Sequence, residues 1–305
     1  MSGKRTRSFK CAVHQTDGEI SSLTDFHVST QQPPFFARMV RFIADEFLLE
    51  ERDRKYYADH YKCWPPPLFL PIITLIQLLV FGYYTVVTGE MEITGPVPMD
   101  SPFIYRPDAR QHVWRFMLYS LLHASWVHLA FNLLVQLLLG LPLEMIHGSS
   151  RIGAIYMAGV LAGSLGTSVF NSKVFLVGAS GGVYALMSAH LANILLNYAN
   201  MQFAVVRLVG IIFVASFDVA FAIYNQYAYV SSGLRVSYLA HVLGAMAGLI
   251  FGLVVLKNFS QSLHTQLYWW MAAGFYMACT AFAIIYNLAH QTYPYDGVLQ
   301  LMDFS

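Results

Sequence analysis

Charge is what this chain has least of. Of its 305 residues, 11% are Asp, Glu, Lys or Arg and 56% are hydrophobic, whereas a typical soluble domain carries about 25% charged residues. So few charges cannot cover a water-soluble fold of this size, which points to an integral membrane protein. Cysteine is scarce as well. Cys11, Cys63 and Cys279 are far apart, which excludes a disulfide framework and a cysteine metal cluster. The net charge is +1 and no basic patch occurs, so nucleic acid is not an expected partner. His123, His128, His190 and His241 come without an HExxH motif or an acidic base. That argues against a zinc protease, and neither metal nor cofactor is expected. The N-terminus lacks an apolar core, so no cleavable signal peptide is expected and the first span should act as its own insertion signal.

The charges that exist gather at one end. Residues 1–67 hold 10 of the 18 Lys and Arg and 9 of the 17 Asp and Glu. A polar tail thus precedes an apolar body. Residues 1–40, rich in Ser, Thr and Gln, read as mostly disordered. Residues 39–62 set Phe42, Ile43, Phe47 and Leu48 at helical spacing among charges. That predicts an amphipathic helix, lying on a membrane surface or solvated beside it. Cys63 follows, at a position where a juxtamembrane cysteine can carry a palmitoyl group.

Seven apolar stretches come next, each of about 20 residues and long enough to cross a bilayer. They run roughly over 68–87, 120–141, 152–171, 179–198, 204–225, 236–256 and 267–289. The fourth carries His190, Asn193 and Asn197, so it belongs among other helices, where polar groups find partners. The expected fold is an all-α, polytopic membrane helical bundle. Its organisation is a cytosolic tail over 1–64, a six-span core over 65–256, and a seventh span with a short C-terminal segment over 257–305. With the N-terminus in the cytosol, that side holds the tail's ten basic residues plus Arg151, Arg207 and Lys257. The other side holds Arg106, Arg110, Arg115, Lys173 and Arg235. The bias sets the C-terminus outside or in the lumen.

The loop between the first two spans, about 88–119, is too apolar to float in water. It carries Phe103, Ile104, Tyr105, Val113 and Trp114. It is expected to dip into the outer leaflet, with Trp114 as an interface anchor and Arg115 bonding its backbone carbonyls. Glu144 is expected to pair with Arg151 or to cap a helix. Asp218, the one acid inside a span, reads as lining a wet cavity or as a hydrogen-bonded structural group.

Four features carry chemistry. The run Gly178-Ala179-Ser180-Gly181-Gly182-Val183-Tyr184 sets one serine among small residues. A helix starting at Ser180 aims its free backbone N–H groups beside the serine oxygen. Small residues also serve tight packing, so this run alone leaves both a nucleophile and a packing residue open. In Ala240–Gly252, His241, Gly244, Gly248 and Gly252 share one helical face. Glycines four apart let two helices touch backbone to backbone. With Gly178 and Gly182 as the matching surface, that contact brings His241 to Ser180; the alternative is a histidine bonded inside the bundle. His128 and Asn132, at i and i+4, share a face. Opposite Ser180 they form an oxyanion hole with its N–H; otherwise they join helices. His123, about 140° round the helix from His128, fits a brace for the entry to the span. Tyr184, one turn after Ser180, can lay its ring on the His241 imidazole. His128, Ser180 and His241 all fall near the outer ends of their spans, where water can reach them.

Taken together, Trp114-Arg115, His123…His128…Asn132, Gly178-Ala179-Ser180-Gly181, Tyr184 and Ala240-His241…Gly244…Gly248 resemble the rhomboid family of intramembrane serine proteases. The resemblance spans about residues 65–256. The seventh span, with runs such as LPLEMIHG and VGASGGVYAL, is similar to the secretase-type animal rhomboids. It implies a Ser–His dyad with Ser180 as nucleophile and His241 as general base. His128, Asn132 and the Ser180 N–H then hold the oxyanion. Substrates are implied to be transmembrane proteins, including precursors of EGF-like growth factors, met in membranes of the secretory pathway such as the Golgi. Membrane lipid is the other implied partner.

Overall fold

The computed structural model describes residues 34–48, 51–61, 66–89, 100–171, 174–198, 203–228, 237–256 and 263–289. The chain forms two compact units, Met1–Trp64 and Pro65–Ser305. In the first, two helices pack together, α1 (Phe35–Phe47) and α2 (Glu51–His60). The single amphipathic helix expected over 39–62 is therefore broken. It also begins earlier, so residues 35–40 are helical rather than disordered. Arg54 Nε closes the break by donating to the Leu48 carbonyl at 2.7 Å. α1 is strongly two-faced: Val40, Ile43 and Ala44 are buried, while Phe35 and Phe42 are exposed. Residues 1–33 and Cys63 lie outside the described residues.

Among the described residues the second unit has seven long helices, as the hydropathy required. They are α3 (Phe69–Thr88), α4 (Trp126–His147), α5 (Ser149–Phe170), α6 (Ser180–Asn197), α7 (Ala204–Ala228), α8 (Tyr238–Val255) and α9 (Leu263–Ala289). Among the described residues no strand occurs; Tyr105 and Leu176 form an isolated bridge. Six of the seven helices are long and apolar enough to cross a membrane, and α6 is the exception. Its polar residues lower its hydropathy, and the fold compensates by placing it inside. Val183, Ala185, Leu186, Ala189, His190, Ala192, Asn193 and Ile194 are all buried. The outward faces of α7 and α9 are the reverse. Val206, Phe213, Trp270 and Phe275 stand exposed, as lipid-facing residues do.

The second span departs most from its expected bounds. It begins at Trp126 rather than 120, because the chain up to Leu122 is used in short turns and Ser125 caps the helix by accepting from His128 N. It runs on to His147 through a π-helical turn at Gln136–Gly140. Pro142 follows that turn and has no N–H to continue the regular ladder. Glu144 does cap a helix, though not its own. Its carboxylate accepts from the backbone of Phe69 (2.6 Å) and Leu70 (2.9 Å) at the start of α3. There a negative charge meets the positive end of the helix dipole.

Polar side chains join the helices where lipid gives no hydrophobic drive to pack. Gln77 donates to Tyr156 Oη (3.0 Å), and Gln136 to Thr74 Oγ1 (2.7 Å), linking α3, α4 and α5. Asn287 on α9 donates to Ser168 on α5 (2.7 Å).

The centre of the unit is a three-helix contact of α5, α6 and α8. Small residues at four-residue steps on α8 meet small residues at four-residue steps on α6. A Cβ on Gly244 would lie 2.4 Å from the Gly181 carbonyl oxygen. One on Gly248 would lie 2.1 Å from that of Ala185, and one on Gly252 2.8 Å from Ala189 Cα. The partners of the glycine face are thus Gly181, Ala185 and Ala189, not Gly178 and Gly182. Gly182 faces the Tyr156 ring of α5 instead.

This contact yields a paired prediction. Gly248→Ala forces a methyl into backbone that cannot yield, at a cost of about 1–3 kcal/mol. Gly274→Ala meets nothing within 4 Å. Thermal unfolding in detergent should show a lower Tm for the first and none lost for the second. Equal values would contradict the packing described.

Candidate active site

The site begins at a loop, not a helix. Arg115 opens a short helix, Arg115–Leu118, and turns its guanidinium back on the preceding loop. Its Nη1 donates to the carbonyls of Ser101 (3.1 Å) and Ile104 (2.7 Å), the backbone role expected of it. Trp114 Nε1 donates to the Pro102 carbonyl, and His112 stacks on the Trp114 ring at 4.7 Å. Arg106 pairs with Asp108 at 2.8 Å. Partial burial works against the Asp108 charge, yet the hydrogen bond and charge of Arg106 hold its carboxyl below the ordinary value. So pinned, Tyr105 exchanges two backbone hydrogen bonds with Leu176, and Gly178 N donates to the Tyr119 carbonyl. The loop therefore fixes the segment that leads into Ser180. Residues 90–99 lie outside the described residues.

Gly178 takes φ +120°, a conformation open to glycine and disfavoured with a side chain. It also leaves room for His128, whose Cε1 would stand 2.6 Å from a Cβ there. Ser180 is the first residue of α6. Its N–H and that of Gly181 thus have no intrahelical carbonyl to bond. His241 lies in the first turn of α8 and is buried. Its Nε2 is 2.8 Å from Ser180 Oγ. With the imidazole proton on Nδ1, Nε2 accepts the serine hydroxyl hydrogen. The glycine face below it meets α6 one turn away, at Gly244 and Gly181.

Tyr184 stacks on the imidazole, with centroids 4.5 Å apart and planes at 14°. Its hydroxyl donates to Asp218 Oδ2 at 2.9 Å, and that same oxygen is 3.7 Å from His241 Nδ1. Among the described residues Nδ1 has no hydrogen-bond partner. Asp218 is hydrogen-bonded, as one sequence reading had it, but its closeness to His241 was missed. The one available signal was that it is an acid inside a span, a rare event that usually marks function.

His128 sits in the first turn of α4, over Gly178, and His123 meets its ring edge-on at 5.4 Å. Asn132 is buried one turn further along, and its Nδ2 donates to the His128 carbonyl at 2.8 Å. Neither hydrogen-bonds Ser180 here. An amide carries two N–H hydrogens, so Asn132 keeps one for a ligand. The structure therefore gathers His128, Ser180, Tyr184 and His241 at the starts of alternate helices. It leaves His190 along α6 instead. Among the described residues no three His, Cys, Asp or Glu side chains are grouped to hold a metal ion. An apolar cleft of ≈ 460 Å³ reaches the imidazole, lined by Tyr184, Ser188, Val219, His241, Val242 and Met246.

Residues 110–258 match the family model described as the Rhomboid domain. The chain is 39% identical to the human protein named Rhomboid-related protein 3, over 94% of this chain and 72% of that one. It is 41% identical to mouse Rhomboid-related protein 2, over 83% of this chain and 85% of that one. It is 33% identical to a Caenorhabditis elegans protein named Inactive rhomboid-related protein 2, over 72% of this chain and 63% of that one.

The loop anchor is testable without any assay of function. Arg115→Ala removes three charge-assisted hydrogen bonds, to the Ser101 and Ile104 carbonyls and to His112 Nδ1, worth about 1.5–3 kcal/mol each. Tryptic cleavage within 100–114 should quicken by about tenfold or more. An unchanged cleavage rate would contradict the anchoring role.

Proposed function

The chain belongs to the rhomboid family, and from that membership we propose that it is an intramembrane serine endopeptidase. The observation that carries the reading is the hydrogen bond of His241 Nε2 to Ser180 Oγ, 2.8 Å, at the entrance of a buried helix. Ser180 Oγ attacks a peptide carbonyl while its proton passes to His241 Nε2. The oxyanion is taken up by the Ser180 N–H, His128 and Asn132. Collapse expels the amine, which takes the proton from His241. Water then attacks the acyl-enzyme, losing its proton to the same nitrogen, and Ser180 is released with its hydroxyl restored. Gly178 serves the site by admitting His128, and Tyr184 by holding the imidazole plane. A relative at 33% identity is named inactive; the hydrogen-bonded pair supports the active reading for this chain.

The substrates are single-pass membrane proteins, cut in or near the outer end of the transmembrane helix. A helix must open before its carbonyls can react, since they are already bonded. Segments with Gly, Ala, Ser or Pro there are therefore favoured. EGF-like growth-factor precursors are the proposed class, so that cleavage feeds EGF receptor signalling. The protein works in a membrane of the secretory pathway, with its N-terminus cytosolic and its C-terminus luminal or extracellular, as the basic residues favour.

Co-expression with a membrane-tethered EGF-like protein tests this reading. Wild type should release the ectodomain, and Ser180→Ala and His241→Ala should each lower release by about 10³-fold or more. Gly178→Ala, which displaces His128, should lower it by about tenfold or more. Release that persists in Ser180→Ala would overturn the serine mechanism.

A further inference from the structure

Removing a serine's proton leaves an imidazolium, and a buried imidazolium needs a countercharge. His241 is buried, and on α8 itself no acid is available. The groups that face it come from three other elements. α6 brings Ser180 and Tyr184, α4 brings His128, and α7 brings Asp218. α5 meets α8 through Gly163 and Gly166, against Ala240 and Leu243, and so brings no charge. Asp218 is therefore the one carboxylate at the imidazole among the described residues.

Its placement suits the task. Asp218 Oδ2 is 3.7 Å from Nδ1, the nitrogen that has no hydrogen-bond partner among the described residues, while Nε2 is engaged by Ser180. Tyr184 fixes the same oxygen with its hydroxyl at 2.9 Å and the same imidazole with its ring. One side chain thus sets both members of the pair. A carboxylate oxygen accepts more than one hydrogen bond, so the Tyr184 contact does not exhaust it. At 3.7 Å the His–Asp contact is an ion-pair distance rather than a hydrogen bond. A closure of under about 1 Å would convert it into one.

We infer that Asp218, anchored by Tyr184, is a positioning residue for His241, turning the dyad into a Ser–His–Asp arrangement assembled across three helices. It holds the imidazole with its proton on Nδ1 and offsets the positive charge that forms as Ser180 reacts. This rests on the serine-protease reading above. α7 is the helix least embedded in the bundle among those spanning by composition, equalled by α9, at 11% buried. The third member therefore comes from a helix whose surface mostly faces away from the bundle.

The test is the rate at which a small fluorophosphonate labels Ser180 in detergent, with folded fraction taken from thermal unfolding in the same detergent. Labelling of wild type and its absence in Ser180→Ala establish the nucleophile separately. Given that, Asp218→Asn, which keeps shape and loses charge, should slow labelling per folded molecule by tenfold or more. In cleavage of a transmembrane substrate the loss should fall on kcat, with KM little changed. Asp218→Glu, which restores the charge, should recover part of the rate. Tyr184→Phe, which keeps the stack and loses the anchor, should lower it in the same direction. Labelling of Asp218→Asn at or above the wild-type rate, or Asn and Glu variants that lose equally, would overturn the assignment and leave Asp218 a structural tie between α6 and α7.

Discussion

Backbone contact between α6 and α8 is the constraint on which the rest of the molecule depends. In lipid, apolar side chains gain nothing by leaving one apolar surrounding for another, so helices associate through close packing and hydrogen bonds. Gly244, Gly248 and Gly252 let α8 lie against Gly181, Ala185 and Ala189 with no side chain between. On that closeness rests the chemistry proposed for the site. Ser180 precedes the first contact on α6 by one residue, and His241 precedes it on α8 by three. The register of the ladder therefore sets the 2.8 Å between them. Any larger residue at Gly244 separates the helices at the point where serine and histidine meet.

The remaining parts serve that contact. α5 closes over it from a third side through Gly159, Gly163 and Gly166. α6 can afford His190 and Asn193 because it is surrounded. The loop held by Trp114 and Arg115 reaches the segment before Ser180 through backbone hydrogen bonds between Tyr105 and Leu176, and Gly178 N donates to the Tyr119 carbonyl beside it. His128 then occupies the space that a glycine at 178 leaves open. Scaffold and site are in this way one set of contacts, and the residues near Ser180 are small because backbone must pass there.

Much of this was legible in the residues. Hydropathy located seven helices, and the polar content of the fourth marked it as internal. The i, i+3, i+7, i+11 pattern below His241 exposed the glycine face, and the apolar loop with an arginine predicted the carbonyl contacts of Arg115. What was not legible has physical reasons. The partner surface of the glycine face was misread because Gly178 and Gly182 are more conspicuous than Gly181-x-x-x-Ala185-x-x-x-Ala189. Alanine serves close approach nearly as well, yet its pattern disappears in an apolar span. The start of α4 was misplaced because hydropathy does not see Ser125 as a cap. Asp218 could be noticed as an acid among apolar residues, but only tertiary structure could bring α7 beside His241.

The reactivity proposed for Ser180 depends on the close approach of α8 to α6. Its most direct measurement is the mapping of a fluorophosphonate adduct by mass spectrometry in Gly244→Ala, where a Cβ would stand 2.4 Å from the Gly181 carbonyl oxygen. An adduct on Ser180 is expected in the wild type and in Gly274→Ala, and its loss from folded Gly244→Ala. An adduct on Ser180 in Gly244→Ala at the wild-type rate would contradict that dependence.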